Sequence, residues 1–127
     1  MTFHVMIIPT LDCPSNCEYC WGSKKGSGMM EIEIIEQIVN WLDGFRDDYV
    51  HFTFHGGEPL LVGYDFYKKA LPMLKNATTH KEAGFSLQSN LWLIDEKLAK
   101  LFAEYNVAIS TSIDGPLEIN DHQRGKG

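Results

Sequence analysis

Three cysteines lie within eight residues, in the spacing Cys-x3-Cys-x2-Cys (Cys13-Pro-Ser-Asn-Cys17-Glu-Tyr-Cys20), and the 127-residue chain has no others. An odd, tightly clustered set makes a poor disulfide framework and points to metal binding in a reducing compartment. Thiolate sulfur is the ligand that iron–sulfur clusters select. Three such ligands on a four-iron cube leave one iron without a protein thiolate, open to a small chelating molecule. An electron carrier with a closed cluster commonly uses four cysteines. The same three thiols with His55 or His4 would also satisfy a structural Cys3His zinc site, although such sites more often pair two knuckles.

The elements that must hold these thiols are legible as two alternating periodicities. Residues 3–9 form an apolar run suited to a buried strand, and residues 10–29 read as loop. An apolar stripe through Ile34, Ile35, Ile38, Trp41 and Leu42 predicts a helix over 30–44, stopped by Gly44. A second strand, 50–54, breaks at His55-Gly56-Gly57-Glu58-Pro59. A helix over 64–75 turns Phe66, Ala70 and Leu74 inward, with Pro72 expected to kink or shorten it. Residues 84–90 read as a third strand, and Asp95 as the N-cap of a helix over 96–105 with Leu98, Leu101, Phe102 and Tyr105 on its stripe. A fourth strand covers 107–113 and ends in an Asp114-Gly115-Pro116 turn. The order β-α-β-α-β-α-β implies right-handed crossovers and a mostly parallel sheet. The loops at 10–20, 55–59, 88–92 and 112–116 then share the carboxyl rim, where parallel α/β folds bind ligands.

Composition narrows the function classes. Hydrophobic residues make up 44% and charged residues 22%, as in an ordinary globular protein. A net charge of -6 argues against a nucleic-acid partner held through phosphates. No apolar run approaches the roughly 20 residues needed to span a bilayer, so no membrane partner is expected. The apolar amino terminus has no basic leader and reads as a strand, which favours a cytoplasmic protein. Lys24 and Lys25 read as a solvated loop. His51, His80 and His122 have no metal-ligand spacing among themselves and take no assignment.

The cysteine spacing, with Tyr19 before the last cysteine and Trp21 after it, resembles the radical S-adenosylmethionine superfamily. His55-Gly56-Gly57-Glu58-Pro59-Leu60 looks like the GGEP segment that follows the second strand there. Ser112-Ile113-Asp114-Gly115-Pro116, with Asp121 and Arg124 downstream, is similar to the S-x-D-G-P…H-D-x-x-R stretch of sulfatase-maturing enzymes and related SPASM-type peptide maturases. Asn120 stands where histidine is common in that stretch. Gln88-Ser89-Asn90 resembles their Q-[ST]-N-G segment, with Leu91 in place of the glycine.

The resemblance implies that Cys13, Cys17 and Cys20 hold a 4Fe–4S cluster, and that Tyr19, Gly56, Gly57, Glu58, Asn90, Ser112 and Arg124 belong to the S-adenosylmethionine site. Gly56-Gly57 suits a backbone that must approach a ligand closely, and guanidinium plus hydroxyl at Arg124 and Ser112 suit a carboxylate. Several of these residues have plainer readings. Tyr19 matches a position near the adenine and equally well packs on the cluster loop, while Glu58 orders its own turn. Asn90 and Gln88 face the barrel mouth or make strand-end hydrogen bonds. Arg124 alone would be a surface charge near a loosely ordered end, and Asp114 favours an Asx-turn with its own backbone.

The implied fold is α/β, a partial (β/α) barrel of parallel strands truncated after about strand 4 of a six-unit core. Residues 1–127 would be the amino-terminal portion of that core, with the cluster loop at 10–21. The implied activity is reductive cleavage of S-adenosylmethionine to a 5′-deoxyadenosyl radical for peptide or protein modification, with an electron donor such as flavodoxin or ferredoxin. No residue is assigned as the substrate acid or base. The alternatives are a cluster-binding but inactive fragment and the structural zinc module.

Overall fold

The fold is taken from a computed structural model, which describes residues 2–20, 22, 26–45, 48–78 and 82–125. Trp21, Lys24, Lys25 and His80, all considered above, lie outside the described residues. The order is β1 (Thr2–Thr10), α1 (Ile32–Leu42), β2 (Tyr49–Gly56), a 3-10 turn (Pro59–Val62), α2 (Tyr64–Ala77), β3 (Glu82–Gln88), α3 (Glu96–Glu104), β4 (Ala108–Ser110) and α4 (Leu117–Arg124).

Alternation along β2 decides the architecture. Val50, Phe52 and Phe54 are fully buried, whereas His51, Thr53 and His55 point to the other face. The buried face meets Ile7 of β1, Phe85 and Leu87 of β3, and the inward stripes of α1, α2 and α3 in one apolar core. Phe52 stacks on Phe85 at 5.6 Å, and Tyr67 of α2 meets both Phe54 and Phe102 edge-on. Strands pair in parallel in the order β1-β2-β3-β4, each with its neighbour in sequence. That sequential order, with right-handed crossovers, puts successive helices on one side and winds the sheet the way a (β/α) barrel winds. α1 packs on α2 and α2 on α3 accordingly.

On β2 and β3 the opposite face is polar, whereas β1 places the exposed Met6 beside Thr53 there. Tyr49 Oη lies 3.1 Å from His51 Nδ1, His51 Nε2 lies 2.9 Å from Ser86 Oγ, and Thr53 Oγ1 lies 2.9 Å from the same hydroxyl. Gly84 makes room for this ladder, because a Cβ there would run into the Tyr49 hydroxyl and come within 2.7 Å of His51 Nδ1.

The structure alters the expectations at three places. Of the kink or shortening expected at Pro72, shortening is excluded: α2 runs from Tyr64 to Ala77 with Pro72 inside. Proline forfeits the hydrogen bond to the carbonyl of Lys68, an exposed residue that water can serve, while burial of Phe66, Tyr67, Ala70, Leu71 and Leu74 holds both halves to the sheet. The fourth strand pairs only over Ala108–Ser110, with register Ser86↔Ala108 to Gln88↔Ser110. Residues 111–113 leave the ladder, since β3 itself ends at Gln88 and offers nothing further to pair with. Beyond the Asp114 turn lies a helix that the apolar pattern did not announce: α4 has no buried residue, so no stripe marks it. Arg124 closes that helix in a defined, partly buried position.

Tyr67 ties this core to the rim. Its hydroxyl donates to the carbonyl of Pro59 at 2.7 Å in a buried environment, and burial, followed by the charge of Glu58, pushes the phenol's pKa well up. Tyr67→Phe keeps the ring packing but strands that carbonyl. The substitution should lower unfolding free energy by about 1–3 kcal/mol in a urea titration, and an unchanged midpoint would contradict this account.

Candidate functional site

The rim is built by loops that hold one another. Thr10, the last residue of β1, accepts through its carbonyl from Gly57 N at 3.0 Å, and Asp12 accepts from Glu58 N at 2.8 Å. This contact brings the loop after β2 hard against the cysteine loop. Gly56 sits at φ +119°, and a Cβ on it would lie 2.6 Å from Ile8 Cγ2. A Cβ on Gly57 would collide with the carbonyl oxygens of Leu11 and Asp12. The close approach inferred for the glycine pair is therefore made to the neighbouring loop, although Gly57 also lines the cavity described below.

Glu58 joins the next loop. It is 1% exposed, and its Oε1 accepts from Leu60 N at 3.1 Å and from Ser89 Oγ at 2.6 Å, while Oε2 accepts from Asn90 N at 2.8 Å. Its carboxylate thus orders its own turn and also the Gln88–Asn90 segment after β3. Ser89 Oγ accepts from Leu91 N, and Asn90 Oδ1 accepts from Trp92 N at 3.0 Å, which leaves Asn90 Nδ2 to face Cys13 Sγ at 3.7 Å.

Cys13, Cys17 and Cys20 line one cavity of about 140 Å³, together with Gly57, Asn90, Ser112 and Arg124. Tyr19, Glu58 and Gln88 reach the same cavity, and Gln88 Nε2 lies 3.3 Å from Ser112 Oγ. Of the residues assigned from sequence, Gly56 alone is not on its lining. His55, weighed above only as a zinc ligand, is on it, with Nδ1 accepting from Gly56 N at 2.8 Å. The period-2 face of His51, Thr53 and His55 was the signal for that placement. His4 stands six residues before Thr10 on β1, about 20 Å from the rim at strand rise. A second cavity of about 380 Å³ shares Asn90, Ser112 and Arg124 with the first and adds the apolar wall of Leu91, Trp92 and Ile113.

All three thiols are free. Burial pushes the Cys13 thiol up; a backbone hydrogen bond from Ser15 opposes this, and Glu58, Cys17 and Cys20 add to it. A metal centre would draw that proton off, as it does for coordinating thiols generally. Ser15 Oγ lies 3.2 Å from Cys17 Sγ. Among the described residues, no three His, Cys, Asp or Glu side chains are gathered as ligands of a single ion. Three soft sulfurs around one shared cavity suit a polynuclear iron–sulfur group, whose ligands sit on different metal atoms.

Across the cavity, α4 closes on the cysteine loop. Ser15 Oγ donates to the carbonyl of Arg124, and Glu18 N donates to the carbonyl of Gln123 at 2.9 Å. Tyr19 Oη donates to Asp114 Oδ2 at 2.6 Å, and Arg124 Nε donates to the same oxygen at 2.8 Å. The guanidinium lies over the Tyr19 ring, 5.3 Å from its centroid. The Asx-turn expected at Asp114 is therefore overturned: the carboxylate serves Tyr19 and Arg124, and the Asp114 backbone N–H donates to Asn120 Oδ1 at 3.1 Å. The Tyr19 bond, then Arg124, holds the Asp114 carboxyl below the usual range, while the bond to Asp114 pushes the Tyr19 hydroxyl up to about 12. The contact is complete at neutral pH. It is lost as pH falls through the lowered carboxyl pKa, or rises from about 10 through 12 at the tyrosine.

Comparison with known proteins decides the family. The Radical SAM superfamily pattern matches residues 7–126. The chain belongs to the radical SAM superfamily. It is 50% identical, over its whole length, to 48% of an uncharacterized protein of Methanothermobacter thermautotrophicus. It is 35% identical over 89% of its length to 32% of a cysteine-type anaerobic sulfatase-maturating enzyme of Clostridium novyi. It is 32% identical over 95% of its length to 31% of the serine-type enzyme of Bacteroides thetaiotaomicron. The solved structure of anSMEcpe with bound AdoMet superposes with a TM-score of 0.89 at 31% identity, covering 98% of this chain and 35% of that one. A second anSMEcpe structure holds both AdoMet and the Cp18Cys peptide, with a TM-score of 0.88. The chain thus spans about half of one relative, 48%, and about a third of the maturases. Among the described residues, no helix is long and apolar enough to cross a membrane.

The glycine contact gives a direct check. Gly57→Ala forces a methyl group into two backbone carbonyls, which cannot rotate away. The cysteine loop should be displaced, with a stability loss of about 1–3 kcal/mol as for overpacking and faster amide exchange at Leu11 and Asp12. Stability and exchange like those of the unaltered protein would refute the close approach.

Proposed function

We propose that residues 1–127 are the amino-terminal portion of a radical SAM core whose complete protein cleaves S-adenosylmethionine reductively and modifies a peptide or protein. The observation that supports this reading above all is the shared cavity: Cys13, Cys17 and Cys20 on one wall, Ser112 and Arg124 on the other. In this reading the three thiolates hold a 4Fe–4S cluster. When bound, that cluster supplies one electron to the sulfonium of S-adenosylmethionine, breaking a carbon–sulfur bond to give methionine and a 5′-deoxyadenosyl radical.

The chain's own residues bind and orient. The fork of Arg124 left free by its Nε bond, with the Ser112 hydroxyl, receives the cosubstrate carboxylate. The Gly57 N–H is already given to Thr10, so its carbonyl is the group that accepts from the cosubstrate ammonium, and Asn90 Nδ2, turned toward Cys13 Sγ, donates toward a cluster sulfur. Glu58 has all its observed hydrogen bonds inside the protein, so it acts by holding the loops rather than by touching ligand. Peptide modification is supported by likeness to the sulfatase maturases and to anSMEcpe with its bound peptide. Electrons would come from a small carrier such as flavodoxin or ferredoxin, in a reducing cytoplasm that keeps the three thiols out of disulfides.

Anaerobic reconstitution with iron and sulfide should yield about four irons per chain and, on reduction, an EPR signal that shifts when S-adenosylmethionine is added. Replacing any one of Cys13, Cys17 or Cys20 by alanine should abolish both signal and shift. Stoichiometric zinc without iron would replace this reading with a structural zinc module. A cluster signal indifferent to S-adenosylmethionine would mean a cluster-binding but inactive chain.

A further inference from the structure

The carboxylate of Asp114 lies between two parts of the site that come from opposite ends of the chain. Tyr19 belongs to the cysteine loop, between Cys17 and Cys20, whereas Arg124 ends α4. Both donate to a single oxygen, Oδ2, at 2.6 and 2.8 Å. The guanidinium carbon also lies 5.3 Å from the centroid of the Tyr19 ring, a second contact between the cysteine loop and the arginine. Asp114 is itself fixed, because its backbone N–H is held by Asn120 on α4.

We propose that Asp114 is a positioning residue that couples the cysteine loop to the arginine of the cosubstrate site, so that each part is correctly set only when the other is. The inference rests on the function proposed above and adds a residue to it. Its chemistry is that of a shared acceptor. With Nε occupied by Asp114 and Arg124 on the cavity lining, its two terminal nitrogens are the donors left for a carboxylate. If Asp114 is removed, the guanidinium keeps its charge but loses its aim. The Tyr19 hydroxyl then loses its partner, and the cysteine loop stays joined to α4 through Ser15 Oγ on the Arg124 carbonyl, Glu18 N on the Gln123 carbonyl and the exposed Glu18–His122 pair.

Coupling of this kind is reciprocal: whatever the ordered cysteine loop adds to cosubstrate affinity, bound cosubstrate adds to the hold on the cluster. An isolated, half-exposed ion pair would contribute little. Here the pair lies between two loops whose relative position is the function, so its effect appears in binding rather than in global stability.

The test uses the reconstituted protein and S-adenosylmethionine itself. Asp114→Asn should raise the Kd for S-adenosylmethionine about tenfold while iron content and the EPR signal without cosubstrate stay those of the unaltered protein. Tyr19→Phe keeps the ring and removes the hydroxyl; it should weaken binding less. The double variant should bind no worse than Asp114→Asn alone, because both changes break the same contact. Loss of iron should also be faster in both single variants when a chelator is added in the presence of S-adenosylmethionine.

Affinities within twofold of the unaltered protein, or losses that simply add in the double variant, would overturn the proposal. If Asp114→Asn fails to retain iron, Tyr19→Phe decides alone, and unaltered affinity in that variant rejects the coupling. Failure of the unaltered protein to take up a cluster would instead remove the functional reading on which this rests, so the two failures are distinguishable.

Discussion

Glu58 carries a carboxylate that is 1% exposed and is served by protein donors in place of water. Burying such a group without partners would cost several kcal/mol, and here Leu60 N, Ser89 Oγ and Asn90 N supply them. Two of those donors belong to the segment after β3, so meeting the needs of one acid fixes the loops after β2 and β3 relative to each other. The backbone bonds from Gly57 to Thr10 and from Glu58 to Asp12 carry the same constraint to the cysteine loop. Three of the four rim loops are therefore set by hydrogen bonds that leave little freedom. The cavity between the thiols and Asn90 follows from those bonds.

The fourth loop is attached differently, and the difference explains what the sequence did and did not disclose. β1, β2, β3, α1, α2 and α3 carry apolar periodicities that match the faces they bury, so each was legible within two residues or so at its ends. The three cysteines were legible because their spacing has few other uses. α4 was not, because Leu117 and Ile119 are exposed and no residue of it is fully buried, and a helix anchored by polar contacts writes no stripe. Asp114 was misread for the same reason. A local Asx-turn and a long-range bond to Tyr19, 95 residues away in the chain, look identical when only neighbouring residues are considered. Glu58 was read as ordering its turn, which is correct but incomplete, since its reach to Ser89 and Asn90 depends on the parallel pairing of β2 with β3.

The two faces of the sheet divide the work. On the apolar face, stacked and edge-on rings of Phe52, Phe54, Phe85, Tyr67 and Phe102 pack at the centre of the core. On the polar face, Tyr49, His51, Thr53 and Ser86 satisfy one another in a ladder that points up the strands toward His55 and Gln88 at the cavity. A singly wound parallel sheet with helices on one side offers its other side to whatever the site must enclose. Alternation within β2 assigns the chemistry-bearing residues to that side without any further instruction.

Position 91 shows how such a constraint tolerates change. Leu91 adopts φ +63°, a left-handed conformation that costs a residue with a Cβ roughly 1–2 kcal/mol; the motif it resembles has glycine there. The turn is over-determined from both sides: Ser89 Oγ holds Leu91 N, Asn90 Oδ1 holds Trp92 N, and both Ser89 and Asn90 are held by Glu58. When neighbouring bonds dictate a backbone conformation, the residue that adopts it no longer has to prefer it, and a leucine can be carried at a cost the network absorbs. The glycine pair at 56–57 has no such latitude, because the opposing atoms at Gly57 are the backbone carbonyls of Leu11 and Asp12, and any side chain would displace them. What fixes a residue at this rim is whether its side chain would meet main chain or open cavity, and Leu91, on the wall of the larger cavity, meets the latter.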